Sequence, residues 1–403
     1  MKKNDMATFF VYLLMLGLAV LVGLAWIRPL ISDYQAYIPL PGIVLVLFAL
    51  LAGIILNAAL LELGHLLGAK TGHYKVRSFV ILGLGFKIKN GVKKKGFHKF
   101  SGLTGETAIV PMDPEKSRLG GYIAFPLLFL LVEVIGCAVM VGIGNAIIKS
   151  SGGDKSMAWM SIFGITVLGI AGMLALYDYF PARLDDITDG YLMMATSKTI
   201  NKVAYNRILL AEEAILEGRP VPDAVIYDEV TDFTYPLNLA IFYRAISENN
   251  SRRAKSILDK AIATEKGLSK SLGNHARCLK LNMLLEEMNS VEAKRMYEEL
   301  DDGTKSYISA LSTMAAVRSY MLISAFIENA EGECNYAVDK AEKALKNEED
   351  NSREIEKALA EADLALVRKM HPGWTLSEFG WNEKDEEDEE KEDEKESSEE
   401  PKE

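Results

Sequence analysis

Uncharged apolar runs occupy the first half of the chain and helical periodicity the second, and the change comes near residue 195. Thr8–Ile27 carries no charge over twenty residues, the length a helix needs to cross a hydrocarbon layer of about 30 Å. Three further runs qualify: 38 to 67, 122 to 148 and 157 to 180. The first run ends in Trp26, Ile27 and Arg28 without a small-residue cleavage site, so it reads as an uncleaved anchor over residues 1–35. Between the second and third runs, Ser78–Lys89 is rich in β-branched and aromatic residues, and Lys89-Asn90-Gly91-Val92 is a hairpin signal. The pattern predicts an α-helical integral membrane protein of four spans with a small β-hairpin insertion in the loop 68–121.

From Ser197 onward, apolar residues recur at helical spacing. Segments starting at Ala254, Ala293 and Asn335 align at offsets of 39 and about 42 residues. That predicts an all-α helical-repeat domain over 196–375, similar in layout to tetratricopeptide arrays, whose stacked pairs engage a protein partner. Formal net charge is -11, but residues 383–403 hold fourteen Asp or Glu against four Lys. The acidity belongs to a tail over 376–403 expected to be disordered, and the charge gives no reason to expect a nucleic-acid partner. Cys137, Cys278 and Cys334 are widely spaced and form no metal or disulfide pattern.

Basic residues give direction. The loop from Gly68 to Gly121 contains eleven Lys or Arg, against one around Arg28 and two at Lys149 and Lys155. This predicts that the loop, the N-terminus and the C-terminal domain are all cytoplasmic, with a bacterial plasma membrane as the expected location.

Ionisable residues inside apolar runs are costly and mark functional sites by default. Glu133 has no neighbouring motif and reads as structural. Asp178, at the end of its run, reads as solvated. Glu62 is different, because the second run contains Leu61-Glu62-Leu63-Gly64-His65. A zinc-protease helix carries two histidines four residues apart with a glutamate beside the first as general base. Here Glu62 and His65 are present and Leu61 stands where the first histidine would be. Taken alone, an acid and an imidazole at i and i+3 can also satisfy one another. After the last run comes Asp189-Gly190.

With that order of parts, residues 38–195 resemble the site-2 family of intramembrane zinc proteases. The resemblance implies Glu62 as catalytic base, His65 and Asp189 as metal ligands and zinc as the cofactor. Leu61 removes one ligand, and Asp178, Asp185 or Asp186 could add an oxygen. The other histidines lie outside the runs. The expected function is therefore a degenerate, non-catalytic relative that binds a transmembrane protein or peptide client, with a cytoplasmic protein partner at the helical repeats. The alternatives are an active zinc endopeptidase and a membrane-anchored adaptor. The parity of the runs places His65 and Asp189 at the same depth, so the two halves of the site can meet.

Overall fold

The computed structural model describes residues 5–35, 41–89, 91–99, 103–153, 155–184, 187–217, 219, 221, 225–264, 267–348 and 350–381. The chain divides into two units, Met1–Ala224 and Val225–Glu403.

In the first unit, α1 (Asp5–Val22) continues through a π-helical turn, Gly23–Ile27, into α2 (Arg28–Gln35). α3 (Gly42–Thr71), α4 (Leu119–Ser150) and α5 (Ala158–Asp178) follow. Together these give four helical stretches long and apolar enough to cross a membrane: Met6–Tyr34, Gly42–Thr71, Leu119–Ser150 and Lys155–Asp178. Their large side chains face outward. Ile43, Leu47, Phe48 and Leu51 of α3 are exposed, whereas Ala49, Gly53, Ala58, Gly64 and Gly68 are buried. Small residues inside and large ones outside let helix backbones approach closely, the packing mode of helices surrounded by hydrocarbon.

The connection between α3 and α4 forms two small antiparallel sheets. β1 (Tyr74–Val76) pairs with β6 (Ile109–Pro111), and the second sheet runs in the order β4-β3-β2-β5, from β2 (Ser78–Ile81), β3 (Leu84–Lys89), β4 (Val92–Phe97) and β5 (Gly105–Glu106). The turn after Lys89 forms as expected, with Lys89 opposite Val92; Asn90 lies outside the described residues. Ser78–Lys89, read from sequence as one strand-like run, is instead a hairpin. Leu82 and Gly83 both take positive φ, 48° and 89°, and reverse the chain between Ile81 and Leu84.

Two short helices complete this unit, α6 (Asp189–Ala195) and α7 (Thr199–Leu216). The side chain of Asn206 on α7 donates to the carbonyl of Pro114 at 2.9 Å and accepts from the Tyr74 hydroxyl at 2.8 Å. Leu192 packs with Tyr74, Ile109, Leu119 and Ile123. These bonds tie α7 to the loop before α4, so the domain change expected at residue 195 falls inside the first unit.

The second unit contains α8 (Thr234–Ser247), α9 (Ser251–Ala263), α10 (Lys270–Glu286), α11 (Ser290–Glu299), α12 (Asp302–Ser309), α13 (Met314–Ile323), α14 (Glu331–Leu345) and α15 (Asp350–Met370). α12 and α13, with the turn that follows, form a bent pair apolar enough to resemble a broken span. Their hydropathy has another cause, since Met314, Val317, Met321 and Leu322 are fully buried in this unit's core. The segments aligned at 254, 293 and 335 lie in α9, α11 and α14, and left-handed residues at Asn249, Met288 and Asn329 precede each. Asn250 and Asn289 cap α9 and α11 by accepting from backbone N–H groups three residues on. Residues 376–381, assigned above to the tail, lie on this unit. Leu376, Phe379 and Trp381 pack against the core, and the Trp381 indole donates to Glu361 at 2.9 Å. Residues 382–403, the rest of that tail, are outside the described set.

Candidate functional site

The site starts with a close approach of two helices. A Cβ on Gly64 would come within 2.5 Å of the Pro126 Cα, so only glycine permits α3 to lie so near α4. One residue on, His65 Nδ1 lies 3.2 Å from the Tyr122 carbonyl. A carbonyl only accepts, so Nδ1 carries the proton in the neutral ring and Nε2 presents a lone pair. The two rings also lie against one another, tilted by 35° with centroids 4.5 Å apart. Tyr122 is fixed in turn, because its hydroxyl donates to the Thr107 carbonyl at 2.8 Å.

Nε2 points toward the start of α6. After α5 the chain folds back, and Gly190 seats against the Tyr179 carbonyl, where a Cβ would come within 2.2 Å. Thr188 caps the short helix by accepting from Tyr191 N–H. This reversal brings Asp189 against the end of α5. Its Oδ2 lies 3.8 Å from His65 Nε2, and its N–H donates to Asp178 Oδ1 at 3.5 Å. Asp189 is 3% exposed, and its Oδ2 has no hydrogen-bond partner among the described residues. Burial pushes the Asp189 carboxyl well above the usual carboxylate range, and the charges of Asp178 and Glu62 push the same way.

His65, Asp178 and Asp189 each offer one ligand atom, and these atoms lie within 4.8 Å of one another. Zinc–ligand distances of about 2 Å put two ligands of one ion about 3–4 Å apart, the separation His65 and Asp189 already have. The donors, one imidazole nitrogen and two carboxylate oxygens, suit a divalent transition metal.

Glu62 is held differently. Its two carboxylate oxygens accept from the Thr104 hydroxyl at 3.0 Å and the Thr107 hydroxyl at 2.7 Å, both from the β5 region. Glu62 and His65 therefore each have other partners and do not satisfy one another. Leu61 is buried at 4% exposure in the wall of the same cavity. The cavity has a volume of about 420 Å³, and Glu62, His65, Thr104, Asp178 and Asp189 line it with Leu61. A larger hollow of about 680 Å³ along Ala124–Val134 of α4 is lined by hydrocarbon and one helix face only.

All three sequence candidates, Glu62, His65 and Asp189, thus meet in one cavity. Asp178, read as solvated, is half-buried and joins them because the fold-back after α5 brings Asp189 against it. Asp185 and Asp186 lie outside the described residues. Glu133 is elsewhere, accepting from the Asn57 side chain at 2.9 Å between α3 and α4. Sequence reasoning missed Thr104, Thr107 and the Tyr122 carbonyl, none of which belongs to a motif. No family model, curated protein or solved structure matches the chain.

Proposed function

We propose that the first unit is a membrane-embedded relative of the site-2 proteases that has lost peptidase activity and holds a transmembrane client at the Glu62–His65–Asp189 cavity. The observation that carries this reading is Leu61. It fills a wall of the cavity with hydrocarbon one turn before His65, where a zinc-protease helix presents its first histidine. Glu62 supports it too, since Thr104 and Thr107 donate to both of its oxygens and hold the carboxylate toward the sheet. A divalent metal, where bound, supplies Lewis-acid polarisation and an acidic water. The chain's own residues orient the His65 lone pair, bury Asp189 and keep a polar cavity open beside apolar helices.

In this reading the four apolar helices cross a bacterial plasma membrane with both termini in the cytoplasm, as the loop charges suggest. The helices of the second unit stack as repeats and engage a cytoplasmic protein. The second reading, an active metal-dependent endopeptidase, draws support from the grouping of His65, Asp178 and Asp189.

The test is to incubate the purified full chain, supplied with Zn2+, with designed single-span peptides. Retention of an intact peptide, with no cleavage product, is the expected result. Cleavage that Glu62→Gln abolishes establishes the endopeptidase instead, and failure to retain any peptide favours the anchored adaptor.

A further inference from the structure

An imidazole nitrogen and a carboxyl oxygen face one another in the cavity. The Tyr122 carbonyl fixes the proton of neutral His65 on Nδ1, so the Nε2 lone pair points at Asp189 Oδ2 across 3.8 Å. The Asp189 side chain is 4% exposed, and its Oδ2 has no hydrogen-bond partner among the described residues. No Lys or Arg among the described residues pairs with Asp189. Asp178 adds a second carboxylate from the last residue of α5, with its oxygen within 4.8 Å of the other two ligand atoms. One imidazole nitrogen and two carboxyl oxygens converging at this spacing form a ligand set for a cation, and a divalent ion balances the charges of the two carboxylates once they are ionised.

Leu61 explains why the second carboxylate is needed. Residues four apart on a helix share a face, so position 61 is where α3 would have offered a ligand beside His65, and leucine has no lone pair to give. We propose that Asp178 supplies the ligand that Leu61 withholds, so that His65, Asp178 and Asp189 together bind one divalent transition-metal ion. The ion then fastens α3, the end of α5 and the start of α6. Glu62, turned to Thr104 and Thr107, is not a ligand. The inference rests on the site-2 reading for treating position 61 as a ligand position, but it concerns metal binding and not the client.

The test uses the full chain in detergent, stripped with a chelator and titrated with Zn2+ and separately with Mn2+. About one Zn2+ per chain is expected. Asp178→Asn should weaken binding by at least roughly ten- to a hundredfold, the range seen on losing even an outer partner of a metal site. Leu61→His added to Asp178→Asn should recover binding. X-ray absorption of the Zn2+-loaded wild type provides a readout independent of any variant's folding, with one imidazole and oxygen ligands expected. No binding by the wild type, undiminished binding in Asp178→Asn, a double variant no better than the single, or a spectrum with two imidazoles would each overturn the proposal. Metal binding without peptide retention would leave this inference standing and remove the client reading. Peptide retention without metal binding would do the reverse.

Discussion

Each unit gathers ionisable residues around a buried point, and the two groups are built on opposite terms. In the second unit Arg318, 2% exposed, donates to Asp363 at 2.7 Å, to Glu356 at 3.1 Å and to Glu286 at 2.7 Å. Burial opposes the guanidinium charge, but the three carboxylates outweigh it and hold the Arg318 pKa well above its ordinary value. Glu356 also accepts from the Tyr243 hydroxyl. In the first unit, carboxylates converge on an imidazole that already has its proton committed elsewhere, and one oxygen has no donor. A buried network whose charges are complementary serves the fold. The group in the first unit lines a cavity and leaves one carboxyl oxygen without a donor, so it is not completed from within the fold.

The largest expected effect lies in the complete network. Arg318→Met leaves Glu356 and Asp363 buried without their cation and should destabilise the second unit by about 3–5 kcal/mol, read as loss of its cooperative unfolding transition or a large fall in its midpoint. A change under about 1 kcal/mol would mean the network is weakly coupled to folding and would blunt the contrast.

The incomplete cluster should respond with the opposite sign. In chelator at neutral pH, Asp189→Asn removes a carboxyl whose ionisation folding disfavours, so it should raise the unfolding midpoint of the first unit. The pH dependence follows from the same shift. The unfolded Asp189 releases its proton near about pH 4, whereas the folded one keeps it to higher pH, so metal-free stability should fall as pH rises above about 4. Asp189→Asn should flatten that slope. A mutant that is less stable than the wild type in chelator, with the slope intact, would show that Asp189 is already satisfied.

The contrast was only partly legible in the sequence. Apolar runs reveal helices directly, because a helix satisfies its own backbone whatever its neighbours, and all four appear, although the first continues past Arg28 to Tyr34 and the second runs from Gly42 to Thr71. The pairing of His65 with Asp189 was legible through the order of motifs and the parity of the runs. Asp178 was not, since nothing local shows that the turn through Thr188 brings Asp189 back against an acid at the end of an apolar run. Thr104 and Thr107 reach Glu62 from 42 and 45 residues away, a separation that no local pattern encodes. The hairpin at Leu82-Gly83 was hidden because leucine seldom adopts positive φ.

The most direct test of a positive-charge-seeking cavity set beside a self-sufficient network is to follow thermal unfolding of the two units separately, in chelated protein with and without Zn2+. Zn2+ should raise the midpoint of the first unit, by an amount that grows with the logarithm of its concentration, and leave the second unit's midpoint unchanged. A first unit indifferent to Zn2+, or an equal shift in both units, would contradict the account.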